Sequence, residues 1–321
     1  MIKKNRYWKN KRVLVTGYEG FLGSNLTRTL LNCGADIVGI DIVKNRPKSV
    51  LNGLRNKIKC IKGDISDFGL VKSVINKHKP RVIFHLAAEA IVGKSNKDPI
   101  KTFKSNIEGT WNILEACRDK KFIEAIVSAS SDKAYGIHKV LPYKENASLK
   151  GSHPYDASKS CADILCYTYW NTYGVPVCVT RCGNLYGAGD FNFSRIVPDA
   201  INCSLKGRQF KIRSDGKFTR DYVYVEDAVN GYMLLAEKMK KLKLYGEAFN
   251  FSDENPITVI DVVERIYKLT GRKPSYKILN QAQYEIKHQY LCSGKARKIL
   301  GWKPEYTLDE GMRKTIEWYE K

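Results

Sequence analysis

Thr16-Gly17-Tyr18-Glu19-Gly20-Phe21-Leu22-Gly23 is the stretch that decides the fold of this chain. The run Arg12–Thr16 before it reads as a strand, and Phe21–Cys33 after it reads as a helix. Between a strand and a helix, glycines at this spacing form a phosphate loop. The first permits a tight turn, the second lets a pyrophosphate approach the backbone, and the third lets the helix pack closely on the strand. Amide groups at the helix start then meet the negative charge.

Working outward, Asp41 closes a second strand, Ile37–Ile40, 18 residues past Gly23. A carboxylate there accepts the hydroxyls of an adenosine ribose and repels a 2′-phosphate, which favours NAD over NADP. Lys44 and Arg46 lie just beyond it and work against that preference. Asp64 and Ile65 end the next strand, where the adenine would lie. The segment His85-Leu86-Ala87-Ala88 ends a further strand with residues small enough for a dinucleotide to pass. The candidate cofactor-binding set is therefore Gly17, Gly20, Phe21, Leu22, Gly23, Asp41, Asp64, Ile65, Leu86, Ala87 and Ala88. His85 itself reads as a packed, hydrogen-bonded histidine.

Short apolar strands alternate with amphipathic helices through the first half, the pattern of an α/β, Rossmann-type doubly wound parallel sheet. A helix is expected near Leu70–Lys77 and a long one from Ile100 to Arg118 that carries Asn106. Strand Ala125–Ala129, helix Tyr155–Tyr173 and strand Val177–Arg181 follow. From Gly187 the rhythm loosens into a smaller α/β C-terminal lobe for a substrate. The expected domains are 1–186 and 187–321, with the chain interleaved between them.

Tyr155-Asp156-Ala157-Ser158-Lys159 falls on one of these helices, so Tyr155 and Lys159 project from one face a turn apart. A lysine ammonium beside a tyrosine favours the tyrosinate and lowers its pKa from about 10. Tyrosine in that state takes a proton from a sugar hydroxyl as hydride leaves the same carbon. Ser131-Asp132-Lys133 lies shortly upstream, and Ser131, Asp132, Lys133, Tyr155 and Lys159 are the candidate catalytic residues. Tyr155 and Lys159 also count toward the cofactor site.

Composition narrows the classes. The chain has 321 residues, 43% of them hydrophobic, which suits a globular protein with a sizeable core. No apolar run approaches the roughly 20 residues that span a bilayer. The opening Met1-Ile2-Lys3-Lys4-Asn5-Arg6-Tyr7-Trp8 is basic and lacks the apolar stretch of a secretory signal. Nine cysteines are scattered with no C-x-x-C pair, as expected of free thiols in the cytoplasm and not of a metal site. The formal charge of +22 is spread over nearly every segment without a basic run interleaved with aromatics, which argues against nucleic acid and suits an anionic ligand.

With these residues in place, the chain resembles the extended short-chain dehydrogenase/reductase family, the sugar-nucleotide epimerases and dehydratases. The resemblance also covers Arg181-Cys-Gly-Asn184-Leu-Tyr-Gly187, Arg220-Asp-Tyr-Val-Tyr-Val-Glu-Asp227, Asn250, and Lys298-Ile-Leu-Gly-Trp302-Lys-Pro304. Ser131-Asp132-Lys133 is most similar to the CDP-glucose 4,6-dehydratase branch. Most other 4,6-dehydratases carry Thr-Asp-Glu there, and 4-epimerases usually have small or apolar residues after the serine. The chain departs from the CDP-glucose branch at Arg220-Asp-Tyr-Val-Tyr-Val, where that branch usually has R-P-W-Q-H-V. The base of the nucleotide stays open on that ground.

The resemblance implies an NAD-dependent conversion of a nucleotide-diphosphate hexose to its 4-keto-6-deoxy form. Tyr155 would take the C4 hydroxyl proton, with Lys159 holding the nicotinamide ribose and Ser131 bonding the reacting oxygen. Asp132 would protonate the departing C6 hydroxyl. Lys133 stands where a carboxylate base is usual, so it either takes the C5 proton as a neutral amine or orients the sugar. Asn184, Arg195, Arg213 and Arg220 are the implied substrate contacts, Asn184 at the phosphates and Arg220 with Arg213 pairing with the diphosphate. A homodimer through the helices Ile100–Arg118 and Tyr155–Tyr173 is implied as well. The competing readings are a sugar-nucleotide 4-epimerase or C4 dehydrogenase using the same residues without elimination, and a non-catalytic dinucleotide-binding regulator.

Overall fold

The computed structural model describes residues 6–282 and 285–321; Met1–Asn5 of the basic opening segment lie outside them. The first part of the chain forms β1 (Arg12–Thr16), α1 (Phe21–Asn32), β2 (Asp36–Asp41), β3 (Ile58–Lys62), α2 (Phe68–His78) and β4 (Val82–His85). Then come α3 (Val92–Lys97), α4 (Pro99–Phe103), α5 (Gly109–Cys117), β5 (Ala125–Ala129), α6 (Pro154–Tyr173) and β6 (Val177–Cys182). The rest comprises β7 (Asn184–Tyr186), α7 (Ile196–Leu205), β8 (Phe210–Ile212), β9 (Thr219–Arg220), β10 (Tyr222–Tyr224), α8 (Val225–Leu242) and β11 (Ala248–Phe251). It ends in β12 (Ile257–Thr258), α9 (Val259–Leu269), β13 (Tyr276–Ile278), β14 (His288–Gln289) and α10 (Leu308–Tyr319).

Seven strands make the central sheet in the order β11-β6-β5-β4-β1-β2-β3, and the ladders from β6 through β3 are parallel. Read from the other edge, this is the doubly wound order with one strand added beyond β6. Helices cover both faces, which is why the strands read as apolar runs and do not alternate. Leu14, Val38, Ile40, Ile83, Ile113 and Ile126 are at most 1% exposed in its main hydrophobic cluster, each contributing about 1.5–3 kcal/mol by burial.

Helix ends follow local chemistry. Asp67 caps α2 by accepting the Leu70 amide, and Lys79 stops it in a left-handed conformation before Pro80. Pro154 opens α6 and Gly174, at φ 67°, ends it. The single helix expected over Ile100–Arg118 is interrupted instead: α4 and α5 flank a π turn at Lys104–Glu108. The wider turn carries Asn106, which grips the backbone of Glu89 from both sides, accepting its N–H at 2.7 Å and donating to its carbonyl at 3.1 Å. Composition gives no warning of such a turn, because its cause is this tertiary contact.

The chain divides into two compact units, each gathered from separate stretches. One takes the part up to Gly136, Glu145–Arg181 and Val229–Phe249; the other takes Ile137–Lys144, Cys182–Ala228 and the part from Asn250 on. The boundary expected between 186 and 187 falls inside the second unit's Cys182–Ala228 stretch. Within that unit, β10 pairs with β7, β12 and β14 flank β9, and β13 pairs with β8. No helix among the described residues is long and apolar enough to cross a membrane.

Candidate active site

The glycine loop sits where the strand order reverses, between β1 and β4, which is the position at which open α/β sheets bind ligands. Gly17 has φ +70°, and a Cβ on it would stand 2.8 Å from the Ala87 backbone. A Cβ on Gly23 would be 2.0 Å from the Gly17 carbonyl oxygen, so loop and helix are in contact there. Gly20 differs: a side chain there would meet only the Gly17 oxygen at 3.1 Å and open space otherwise. Phe21 and Leu22 begin α1, whose start has no side-chain cap and no acidic residue in its first turn. An open glycine before an uncapped, acid-free helix start suits a pyrophosphate.

Asp41, at the end of β2, is 8% exposed and accepts the amides of Glu19 and Val43, each at 3.0 Å. Burial raises its carboxyl above the ordinary value; the two amides and Arg46 act against this, and Glu19 adds to it. Asp64 is exposed and turns the backbone by accepting the Ser66 amide at 2.9 Å. Ile65 is buried, with its carbonyl bonded by Asn112 at 3.0 Å.

His85 joins the loop to the helices. The Thr110 hydroxyl donates to the Asn106 carbonyl at 2.6 Å, so it accepts from His85 Nε2 at 3.1 Å. His85 Nδ1 then accepts the Thr16 hydroxyl at 2.9 Å. Thr16 Oγ1 in turn accepts the amides of Leu86 at 3.1 Å and Ala87 at 3.2 Å, which fixes the segment leading to Ala88. Burial, with Lys159 adding to it, pushes the imidazole down to about 3. This is a neutral, packed histidine.

The candidate catalytic residues come together from β5 and α6. Ser131 follows β5 and caps the short turn Asp132–Tyr135. Its hydroxyl donates to Asp132 Oδ1 at 3.0 Å and accepts the Lys133 amide at 3.2 Å. Asp132 is 4% exposed. Lys159 is buried, and its Nζ donates to the carbonyl of Ala129 at the end of β5 at 2.7 Å. Tyr155 lies one turn before it, 9% exposed. The Ser160 hydroxyl ties the same helix to the turn at the Ala134 carbonyl, 2.8 Å away. Asn106 Nδ2 reaches the Ser158 hydroxyl at 2.9 Å, which donates to the Tyr155 carbonyl at 2.7 Å.

Asp156 was passed over in the sequence, although an acid inside Y-x-x-x-K was the available signal. It is 4% exposed, and burial raises its carboxyl while the charges of Lys133 and His153 lower it and Asp132 raises it. Asp156 therefore lies in the field of the Asp132–Lys133 turn.

Arg181, on β6, holds α6 and the turn in place. Nε and Nη2 form a bidentate pair with Asp163, each bond 2.8 Å, and Nη1 donates to the Tyr135 hydroxyl at 2.8 Å. Burial opposes its charge, and Asp163 overcomes that and holds the guanidinium above its ordinary value. Asp163→Asn leaves a buried arginine unpaired, so it should cost about 3–5 kcal/mol in urea unfolding. A loss under 1 kcal/mol would mean the pair adds little.

The implied substrate contacts lie in the second unit. Asn184 starts β7 and donates to the Asp221 carbonyl at 3.4 Å. Arg195 pairs with Asp190 at 3.0 Å, and Arg213 donates to the Ser194 carbonyl at 2.6 Å, so both border the loop at 190–195. Arg220, expected at the diphosphate, is 6% exposed. Its Nη1 donates to the carbonyls of Thr219 at 2.8 Å and Lys287 at 3.0 Å, and Nη2 to that of Ile286. Those donors serve the backbone around β9 and β14.

A family profile described as GDP-mannose 4,6 dehydratase matches residues 14–315. The chain belongs to that family. A CDP-glucose 4,6-dehydratase of Salmonella typhimurium is 32% identical, across 100% of this chain and 93% of that protein. Among solved structures, the epimerase Mth375 of Methanothermobacter thermautotrophicus matches with TM-score 0.90 and 28% identity over 99% of this chain and 95% of that one. DesIV, a dTDP-glucose 4,6-dehydratase of Streptomyces venezuelae solved with NAD and TYD bound, matches with TM-score 0.88 and 26% identity over 96% and 97%. Epimerase and dehydratase backbones fit this family member about equally, so the reaction has to be read from side chains.

Proposed function

We propose that this chain is an NAD-dependent nucleotide-sugar 4,6-dehydratase acting on an NDP-hexose, CDP-glucose or one like it. The observation that carries the reading is the Ser131-Asp132-Lys133 turn, fastened to the helix of Tyr155 and Lys159 through Ala129 and Ala134. An epimerase needs no acid there, whereas elimination of a C6 hydroxyl needs one. NAD supplies the acceptor that takes hydride from C4 and returns it to C6. Tyr155 takes the C4 hydroxyl proton, Lys159 stabilises the tyrosinate, and Ser131 bonds the reacting oxygen. The C4 carbonyl acidifies the C5 proton, and Asp132 gives a proton to the departing C6 hydroxyl. Lys133, as a neutral amine, takes the C5 proton and a proton returns to C5 as hydride reaches C6, or Lys133 orients the sugar while another group carries that proton. Asn184, Arg213 and Arg220 are assigned to the diphosphate and Arg195 to the substrate, with Arg220 also holding the backbone around β9. Incubation with a panel of nucleotide-hexoses tests the reading: one of them should lose the mass of one water and gain the alkaline absorbance of a 4-keto sugar. Inversion at C4 with no loss of mass would favour the epimerase.

Burial pushes the Lys159 ammonium down to about 8, against the pull of Cys166 and Asp163. The charged form favours tyrosinate, so turnover should fall as pH rises through about 8. Lys159→Arg keeps the charge at all these pH values. It should move that alkaline limb upward in the pH profile of kcat, and an unmoved limb assigns the limb to another group.

We also assign the protein to the cytoplasm, in keeping with nine free cysteines, and to a homodimer. Ile100 (69%), Phe103 (37%) and Trp111 (41%) are exposed along α4 and α5, and Ile164 (55%) and Tyr167 (54%) along α6. An apolar face on two neighbouring helices suits a second copy. Ile164→Glu should give a monomer in sedimentation, and a dimer that persists would place the interface elsewhere.

A further inference from the structure

The two residues between the first glycines of the loop, Tyr18 and Glu19, are 0% and 1% exposed, although a phosphate loop has no need of large or charged side chains. Both reach into the connection between β2 and β3. The Tyr18 hydroxyl donates to the Lys44 carbonyl at 3.3 Å. Glu19 accepts Arg55 Nε on Oε1 at 2.6 Å and Arg55 Nη2 on Oε2 at 3.0 Å. Arg55 Nη1 donates to Asn52 at 2.9 Å.

The same pair grips the backbone of one residue, Arg46, on both sides. The Arg46 amide donates to Glu19 at 3.3 Å, and the Arg46 carbonyl accepts Arg55 Nη2 at 2.9 Å. The Glu19 amide donates to Asp41 at 3.0 Å, so the carboxylate expected at the ribose belongs to the same assembly. Within this hydrogen-bonded assembly, the two anions Asp41 and Glu19 offset the two cations Arg46 and Arg55, and Lys44 lies exposed beside it.

We propose that the buried Glu19–Arg55 pair is a second determinant of dinucleotide choice, fixing the Arg46 backbone and offsetting the Arg55 charge with that of Glu19, so that a 2′-phosphate meets less positive charge than the arginines alone would supply. This rests on the reading of the glycine loop as a dinucleotide site. It assigns a selective role to loop residues that phosphate binding does not require. Removing the Glu19 charge leaves one uncompensated cation beside the ribose and improves NADP relative to NAD. Removing the Arg55 charge leaves one uncompensated anion and does the reverse.

Calorimetric titration of the full chain with NAD and with NADP tests this without turnover. Glu19→Gln should move the ratio of the two dissociation constants toward NADP by on the order of 10-fold, and Arg55→Gln away from it by a similar factor. A pair that only braced the loop would weaken both nucleotides alike in both variants. Shifts of the same sign, or none, overturn the proposal. Arg46 is exposed, so Arg46→Gln keeps the charge claim testable if the buried variants do not fold: its ratio should move away from NADP, and an unchanged ratio overturns the claim. Wild-type protein that binds neither nucleotide overturns the cofactor reading and this proposal with it. Wild-type protein that binds NAD, with unmoved ratios in the variants, overturns this proposal alone.

Discussion

Tyr155→Phe lowers turnover by about 10³-fold, the scale of a lost general base, and leaves fold and NAD affinity at wild-type values. The variant loses one oxygen from a side chain that is 9% exposed, so its packing in α6 is kept. Lys159 still donates to the Ala129 carbonyl, and the Asn106–Ser158 bonds that hold the helix do not involve the phenol. Without the phenol oxygen the group assigned to take the C4 hydroxyl proton is gone. The measurements are steady-state turnover, a thermal melt and NAD titration on the same preparation. Turnover within tenfold of wild type would remove Tyr155 from the chemistry, and a lowered melt would mean that a folding defect contributes.

Asp132→Asn separates the two halves of the proposed reaction. Asparagine keeps the size of the side chain and an oxygen that accepts the Ser131 hydroxyl, a bond of 3.0 Å in the native turn. It cannot give a proton to a leaving hydroxyl. Oxidation at C4 should continue while elimination slows by about 10²–10⁴-fold. Reduced nicotinamide should then accumulate on the enzyme, visible in the near ultraviolet in a single-turnover mixing experiment. Loss of turnover with no such absorbance would place Asp132 in the first oxidation or in the architecture of the turn.

The part of the molecule that was legible in sequence is the part governed by local rules. The glycine loop, the apolar strands and the Y-x-x-x-K helix each follow from neighbouring residues, and β1 and β5 span the residues expected. Elements made by distant contact were not legible. β9, β12 and β14 are two residues long, too short to carry any period. The π turn at Asn106 depends on Glu89, seventeen positions away. Arg220 reads as a phosphate ligand because its fork of donors matches phosphate oxygens, and its contacts to backbone carbonyls were not legible. Its burial is set by carbonyls more than sixty positions away. The burial of Tyr18 and Glu19 is likewise made by distant partners, Lys44 and Arg55. Asp156 escaped notice for a related reason: helical spacing sets which face it occupies, and the field it feels comes from the turn after β5.

Hydride moved within one sugar distinguishes a 4,6-dehydratase from the other readings. Substrate carrying deuterium at C4, incubated in ordinary water and followed to product by mass spectrometry and proton NMR, tests this account most directly. The account predicts a 4-keto product that has lost one water and carries the deuterium on its C6 methyl group. Deuterium found back at C4 beside an intact C6 hydroxyl would contradict it.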